Sequence, residues 1–456
     1  MMGTIPPPPP GRFDEDEPVD EDDDEGPSLP ITGVVSLSDR RWRKGLQGNA
    51  AGKIKSLEHN IAQILRLHPL WVGVVAFDQF ASKLVALKPP PFEDQANSKA
   101  YPRAWRDVDT INTMRWLQST KGVVIDATRA ATDNSLDVAG HANAFHPVRD
   151  YLAGLEWDTR QRLPRLLADY FGADTSDYLS AVGTAWMISA IARIMRPGCQ
   201  ADYMMVLEGS QGARKSSALR ELFSDEWFTD ARVTLNDEGL KKLQGKWCIE
   251  LAELESFRGK AATEIKAFIT SRVDNFRASY GRRPQDYPRS CVMAGTTNER
   301  EYLVDRTGNR RFWPVTCGTI NLAQLCRDRD QLWAEAVVRY ESGEHWWLDD
   351  ETMARAEQRK RELREPWFEL IAAWLAAPSV PDQNGGRRRI EPGDGMSIAD
   401  VMLGALSLRA ADMRREELTR VGYCMHKLGF ERHWITRDGR KERRYFRSGY
   451  AGVRGA

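Results

Sequence analysis

The stretch YMMVLEGSQGARKSSALRELF, residues 203–223, decides how the rest of the chain is read. Tyr203 to Leu207 is a short apolar run with the length of a buried strand, and Ser217 to Phe223 places Ala218, Leu219, Leu222 and Phe223 at helical spacing. Between them lie Gly209, Ser210, Gln211, Gly212, Ala213, Arg214, Lys215 and Ser216. A strand, a glycine-spaced loop, Lys-Ser and then a helix form a cradle for phosphate. Glycines let backbone N–H groups turn inward, and the helix N-terminus adds its positive end. In such a loop Lys215 reaches the β- and γ-phosphates of ATP, and the Ser216 hydroxyl binds Mg2+. The segment from Gly209 to Ser217 is therefore the expected nucleotide site. One position departs from the pattern: Arg214 stands where glycine usually precedes the lysine. A side chain there calls for a negative φ, and its charge either assists or obstructs the phosphates.

Outward from this loop, apolar strands alternate with helices. Trp247–Ala252, Cys291–Gly295 and Phe312–Val315 read as strands, and Ala261–Ile269 as a helix, so an α/β fold with a mainly parallel sheet is expected. A phosphate loop needs a second strand ending in acid, to hold Mg2+ and polarise water. KWCIELAELE (246–255) supplies Glu253, the first choice, and Glu250, the alternative. CVMAGTTNE (291–299) ends in Thr296, Thr297 and Asn298, a polar tip suited to orienting water, while DRTGNRRFWPV (305–315) offers Arg310 and Arg311 as transition-state arginines.

Taken together, HPVRDYLAGLEWDTRQRL (146–163), RIMRPGCQADYMMVLEGSQGARKS (193–216), GKWCIELAELE (245–255), IKAFITSRVDNFRASYGRR (265–283) and PRSCVMAGTTNEREYLVDRTGNRRFWPV (288–315) resemble the virulence-associated E family of phage and prophage proteins. That family's ATPase core is similar to superfamily 3 helicases. The resemblance spans roughly 105–315 and implies a ring-forming AAA+-type P-loop NTPase of mobile-element replication, a homo-oligomer with a hexamer as the candidate ring. It makes Lys215 and Ser216 the Walker A pair, Glu253 the Walker B acid and second metal ligand, Asn298 the sensor, and Arg310 or Arg311 a finger for the neighbouring subunit. Lys266, Arg277, Tyr280 and Arg283 become candidates for DNA or inter-subunit contact. Arg214 departs from the family's pattern and bears on hydrolysis rate more than on binding. The N-terminal part shows no acidic cluster for nucleotidyl transfer, so primase activity is not expected.

Composition narrows the alternatives. The chain has 456 residues with 65 Lys+Arg against 65 Asp+Glu, 41% hydrophobic and 29% charged, the profile of a cytoplasmic protein of several domains. The longest charge-free apolar stretch, Tyr178 to Ala192, stops at Arg193, short of the ~20 residues a membrane span needs. No basic start followed by an apolar run marks a secretory signal. Six scattered cysteines without a C-x-x-C pair argue against a disulfide framework or a zinc site.

The zero net charge conceals an asymmetry. Residues 1–30 hold ten acids and one base, Arg12, whereas 401–456 hold 13 Lys+Arg against six Asp+Glu. The Pro-rich acidic segment 1–33 reads as a disordered tail, either a solubilising one or an acidic arm competing for a basic groove. Residues 34–147 read as an α+β module, with a helix at Lys55–Leu67, strands at Trp71–Phe77 and Val123–Ile125, and a helix at Trp105–Leu117. Residues 148–199 read as helical, with Asp174 or Ser176 as a cap, then 200–320 as the ATPase core, 321–380 as helical and 381–396 as a linker. In 397–456, helices at Ser397–Leu406 and Arg414–Leu428 precede a basic hairpin, a winged-helix-like module for DNA.

These features favour an ATP-dependent DNA-binding motor: a helicase or helicase loader acting on single-stranded or forked DNA with replication proteins of the element. A nucleotide-gated initiator that binds ATP without translocating is the alternative. A P-loop small-molecule kinase fits less well, because it needs no basic terminal module.

Overall fold

The computed structural model describes residues 41–94, 100–231, 236–254, 260–277, 283–303, 309–362, 365–382, 386–408, 414–437 and 440–449. The acidic tail and Tyr280 lie outside them. The chain divides into two compact units, the first formed by residues up to 77 and 84–143, the second by 78–83 and 144 onward.

In the first unit, α1 (Glu58–Leu67), α2 (Asp107–Gln118) and α3 (Arg129–His141) accompany short strands β1 (Val75–Asp78), β2 (Lys83–Ala86) and β3 (Arg103–Ala104). Its core gathers Ile61, Ile64, Leu65, Trp71, Trp116 and Leu117. Thr128 caps α3 by accepting from the Ala131 amide, a helix with only a weak apolar stripe that the sequence reading passes over. The expected strand Val123–Ile125 does not form: Val124 takes φ +57 and is 67% exposed, so the run has no sheet to join.

The second unit opens with β4 (Ala144–Phe145), α4 (Pro147–Ala153) and α5 (Leu166–Asp169), followed by α6 (Asp177–Met195). Ser176, not Asp174, caps α6 by accepting from Leu179 N. By length and composition α6 could cross a membrane, yet 78% of its apolar window is buried inside the protein. A helix apolar on all sides is what a core position requires.

Against α6 lies a five-stranded sheet in the order β11-β5-β10-β7-β6. Its strands are β5 (Met204–Glu208), β6 (Phe228–Thr229), β7 (Cys248–Leu251), β10 (Val292–Thr297) and β11 (Phe312–Thr316), all paired in parallel. Every residue of β5 is buried, as expected where helices cover both faces. Met205 and Leu207 face α6, α7 (Lys215–Phe223) and α10 (Leu322–Glu341), while Met204 and Val206 face α9 (Lys260–Thr270). A small helix, α8 (Asp237–Lys242), precedes β7. Phe223, at the end of α7, sits edge-on to Trp186, Trp247 and Trp333 at 5.4, 5.1 and 5.0 Å, and the last two indoles stack at 4.2 Å. A hairpin of β8 (Val273–Phe276) and β9 (Gln285–Pro288), absent from the sequence reading, sits between α9 and β10.

After α11 (Thr352–Lys360) comes the terminal module, built on α12 (Trp367–Leu375), α13 (Ile398–Leu406) and α14 (Arg415–Lys427). The stretch 381–396 is no linker. β12 (Ser379–Pro381) pairs with β13 (Arg387–Arg389), and Ile390 and Met396 are buried with Trp374, Val401 and Tyr445. Pro392–Asp394 form a 3-10 turn, and α12 joins this module's core through Ile371 and Trp374. The hairpin of β14 (Phe430–Arg437) and β15 (Arg440–Arg447) closes it, tied back through Met396 and Tyr445.

Candidate functional site

β5 delivers the loop at its C-terminal edge, where the sheet register also brings the ends of β10 and β7. Gly212 takes φ +80 with open space around it, so conformation and not crowding favours glycine there. Arg214 takes φ +65, ψ +25 as the residue capping α7. The expectation of a negative φ is thus overturned. The αL basin is open to an ordinary side chain at a cost of ~1–2 kcal/mol, and here the turn into α7 imposes it.

Lys215 is buried, and its Nζ donates to Gly209 O at 2.7 Å, Ser210 O at 3.1 Å and Asn298 Oδ1 at 3.0 Å. Its charge is thereby held at the loop's mouth, next to the tip of β10. Beside it the Cys317 thiol is pushed up to about 12 by burial, against the pull of Lys215.

Ser216 Oγ donates to Glu250 Oε1 at 2.7 Å, and Thr296 Oγ1 donates to the same oxygen at 2.6 Å. Glu250 Oε2 is buried without a hydrogen-bond partner among the described residues. A buried carboxylate oxygen left unmatched is costly, so this atom calls for a hydrogen-bond donor or a cation. With the Ser216 hydroxyl it makes a hard-oxygen pair that suits Mg2+, an ion commonly held by one or two protein groups plus phosphate oxygens.

Lys215, Ser216, Glu250, Thr296 and Asn298 are therefore brought together. Glu253 is not among them. It lies two residues beyond β7, exposed, at φ +55. The apolar run ends the strand at Leu251, so the acid one pleat inside it, Glu250, faces the loop. Arg310 and Arg311 precede β11, whose first residue pairs with Met204 at the start of β5, whereas the loop follows Glu208 at its end. Across a five-residue strand that places them ~13 Å from the loop in their own chain. Lys266 is buried, with Nζ 3.4 Å from Asn309 Oδ1.

One element of the site escapes sequence reading. Glu208, immediately before Gly209, is buried and takes a forked pair from Arg361, with Nε to Oε1 at 2.8 Å and Nη2 to Oε2 at 2.9 Å. Tyr302 and Thr316 hydroxyls donate to it at 2.9 and 2.8 Å. The only trace in the sequence is an acid closing an apolar strand.

Comparison with known proteins adds the following. The chain is similar to solved structures of the NrS-1 C-terminal region: the apo structure of residues 305–718 (12% identity, TM-score 0.44) and an A-form apo structure (11% identity, TM-score 0.43). Each alignment covers 82% of this chain and 96% of that one. No curated protein is a significant match. The model of the virulence-associated protein E-like domain matches residues 152–365, which include the loop, both acids, the tip of β10 and Arg361. Over those residues, just under half of its length, this chain is similar to the virulence-associated protein E-like domain.

Proposed function

We propose that this chain is an ATP-dependent, DNA-engaging motor, a homo-oligomeric helicase or helicase loader that serves replication of a prophage or mobile element. The observation that carries the reading is Glu250, whose one carboxylate oxygen gathers the Ser216 and Thr296 hydroxyls while the other is buried with no hydrogen-bond partner among the described residues. Mg2+ held by Ser216 and Glu250 would supply charge neutralisation for the β- and γ-phosphates. Lys215 binds the same phosphates, exchanging its loop carbonyls for them. Asn298, already 3.0 Å from that ammonium, positions the attacking water, and Glu250 rather than Glu253 is the acid that polarises it. Arg310 or Arg311, at the far edge of the sheet, serves the site of the next subunit.

The test is steady-state ATP hydrolysis with and without single-stranded DNA. Wild type should turn over faster with DNA. Glu250→Gln should bind nucleotide but lose turnover by about 100-fold or more, while Glu253→Gln should stay within about threefold of wild type, since one such electrostatic contact is typically worth 10²–10³ in kcat. Equal loss in both variants would sink the assignment. Nucleotide binding without any turnover in wild type would favour the nucleotide-gated initiator, a reading that Arg214, charged and exposed at the mouth of the loop, keeps in view.

A further inference from the structure

The β14–β15 hairpin sorts its charges by face. Directly opposed residues of an antiparallel pair share a face. The pairs Phe430↔Arg447, Arg432↔Tyr445, Trp434↔Arg443 and Thr436↔Lys441 therefore lie on one side, and Glu431↔Phe446, His433↔Arg444, Ile435↔Glu442 and Arg437↔Arg440 on the other, so the first side carries cations without an acid. Both acids of the two strands fall on the second side. There Arg444 is occupied by Glu442 Oε1 at 2.7 Å and by the carbonyls of Asp394 and Gly395, and Phe446 is buried. On the first side Arg432, Trp434, Thr436, Lys441 and Arg443 are all exposed. Trp434 is 59% exposed, the largest exposure of any aromatic side chain among the described large hydrophobics. The Arg443 guanidinium lies 4.5 Å from the Trp434 ring centre, and that of Arg432 lies 5.4 Å from the Tyr445 ring centre.

An indole left in water amid cations serves neither the core nor solubility. A surface that only tracked phosphates would need the cations and not the ring. A surface for a folded protein's apolar patch would surround the ring with exposed apolar neighbours, whereas here its exposed neighbours on the face are Arg443, Arg432, Thr436 and Lys441, and Tyr445 on the same face is buried in the module's core. A flat aromatic face flanked by phosphate-pairing cations matches an unpaired nucleic-acid strand, whose bases offer π-faces that a duplex keeps stacked inside.

We propose that this hairpin face is a single-strand binding site in which Trp434 stacks on an unpaired nucleobase while Arg432, Lys441 and Arg443 hold the flanking phosphates. It deepens the DNA-engaging part of the reading above and does not depend on ATP hydrolysis. Strand recognition thus falls to the hairpin, and the module does not rely on a helix in a major groove alone.

The test is fluorescence anisotropy of the full chain with a labelled 20-nucleotide oligo(dT) and with a blunt duplex of equal length, over a series of salt concentrations. Trp434→Ala should weaken oligo(dT) binding about tenfold, the lower range of one stacked base, with an unchanged salt slope and unchanged duplex affinity. Trp434→Phe should restore most of the loss. Arg432→Ala with Arg443→Ala should lower the slope of log K against log salt by about 0.7 per cation. Thermal melts and DNA-free ATP turnover equal to wild type show that these variants fold. Unchanged oligo(dT) binding by Trp434→Ala, or equal losses on single strand and duplex, overturns the stacking site, as does a wild type that binds neither oligonucleotide. Selective single-strand binding without any ATP turnover would sink the motor and leave this site standing.

Discussion

Glu208 and Arg361, 153 residues apart in sequence, meet as a buried, doubly hydrogen-bonded ion pair at the base of the Gly209–Arg214 loop. The pair fixes the end of β5 to the segment following α11. Arg361 also reaches Glu357 on that helix, so both ends of the guanidinium are engaged.

Removing one partner leaves the other charge buried and unmatched. Arg361→Ala is expected to destabilise the second unit by about 3–5 kcal/mol, and Arg361→Lys to recover little of it, because an ammonium cannot reproduce the fork. Chemical denaturation followed by tryptophan fluorescence checks this. A loss below about 1 kcal/mol would show the pair to be dispensable.

Arg214 occupies the αL region that glycine enters without strain. Arg214→Gly should leave stability within about 1 kcal/mol of wild type, relief of strain being offset by a more flexible unfolded chain, whereas β-branched Arg214→Val should cost more than about 1 kcal/mol. Melting temperatures of the two variants, compared with wild type, test the order. Comparing ATP affinity in Arg214→Gly and wild type then reads what the guanidinium itself contributes.

In the first unit, burial of Asp109 would raise its pKa, but hydrogen bonds from Arg106 and Arg103 outweigh this and hold it at about 2. A folded-state pKa below the unfolded one means stabilisation that is complete above about pH 4 and is lost as pH falls toward about 2. The contribution is on the order of 2 kcal/mol. Hydrogen exchange of the α2 amides between pH 5 and pH 2.5 should show protection falling in that window, and Asp109→Asn should abolish the pH dependence while lowering protection at pH 5.

The N-terminal 30 residues carry a formal −9, from ten acids and Arg12, while the hairpin face is cationic. Deleting residues 1–30 is expected to tighten oligo(dT) binding by at least about threefold at low salt, with the gain shrinking as salt screens the charges. Unchanged affinity and slope would dismiss competition by the acidic segment.

What could be read in advance follows from which signals are local. Strand β5, the loop and α7 are written in consecutive residues, and β7, β10 and β11 declare themselves as apolar runs. The choice between Glu250 and Glu253 turned on where β7 ends. A strand's last residue is set by its neighbours in the sheet, here Gly295 opposite Leu251, and not by the run itself. Glu208 and Arg361 were invisible because nothing in either neighbourhood names the other. Residues 381–396 misled for the opposite reason: turn-forming composition looks the same in a tether and in a tightly folded hairpin, and the burial of Ile390 and Met396 tells them apart.

The helix that begins at Lys215 ends with Phe223 wedged among Trp186, Trp247 and Trp333. Indole emission is sensitive to the position of a neighbouring ring, so three of the chain's fifteen tryptophans form an optical gauge joined by one helix to the Gly209–Arg214 loop. A tilt of that helix would register as a change in the share of those three indoles in the emission of unlabelled protein.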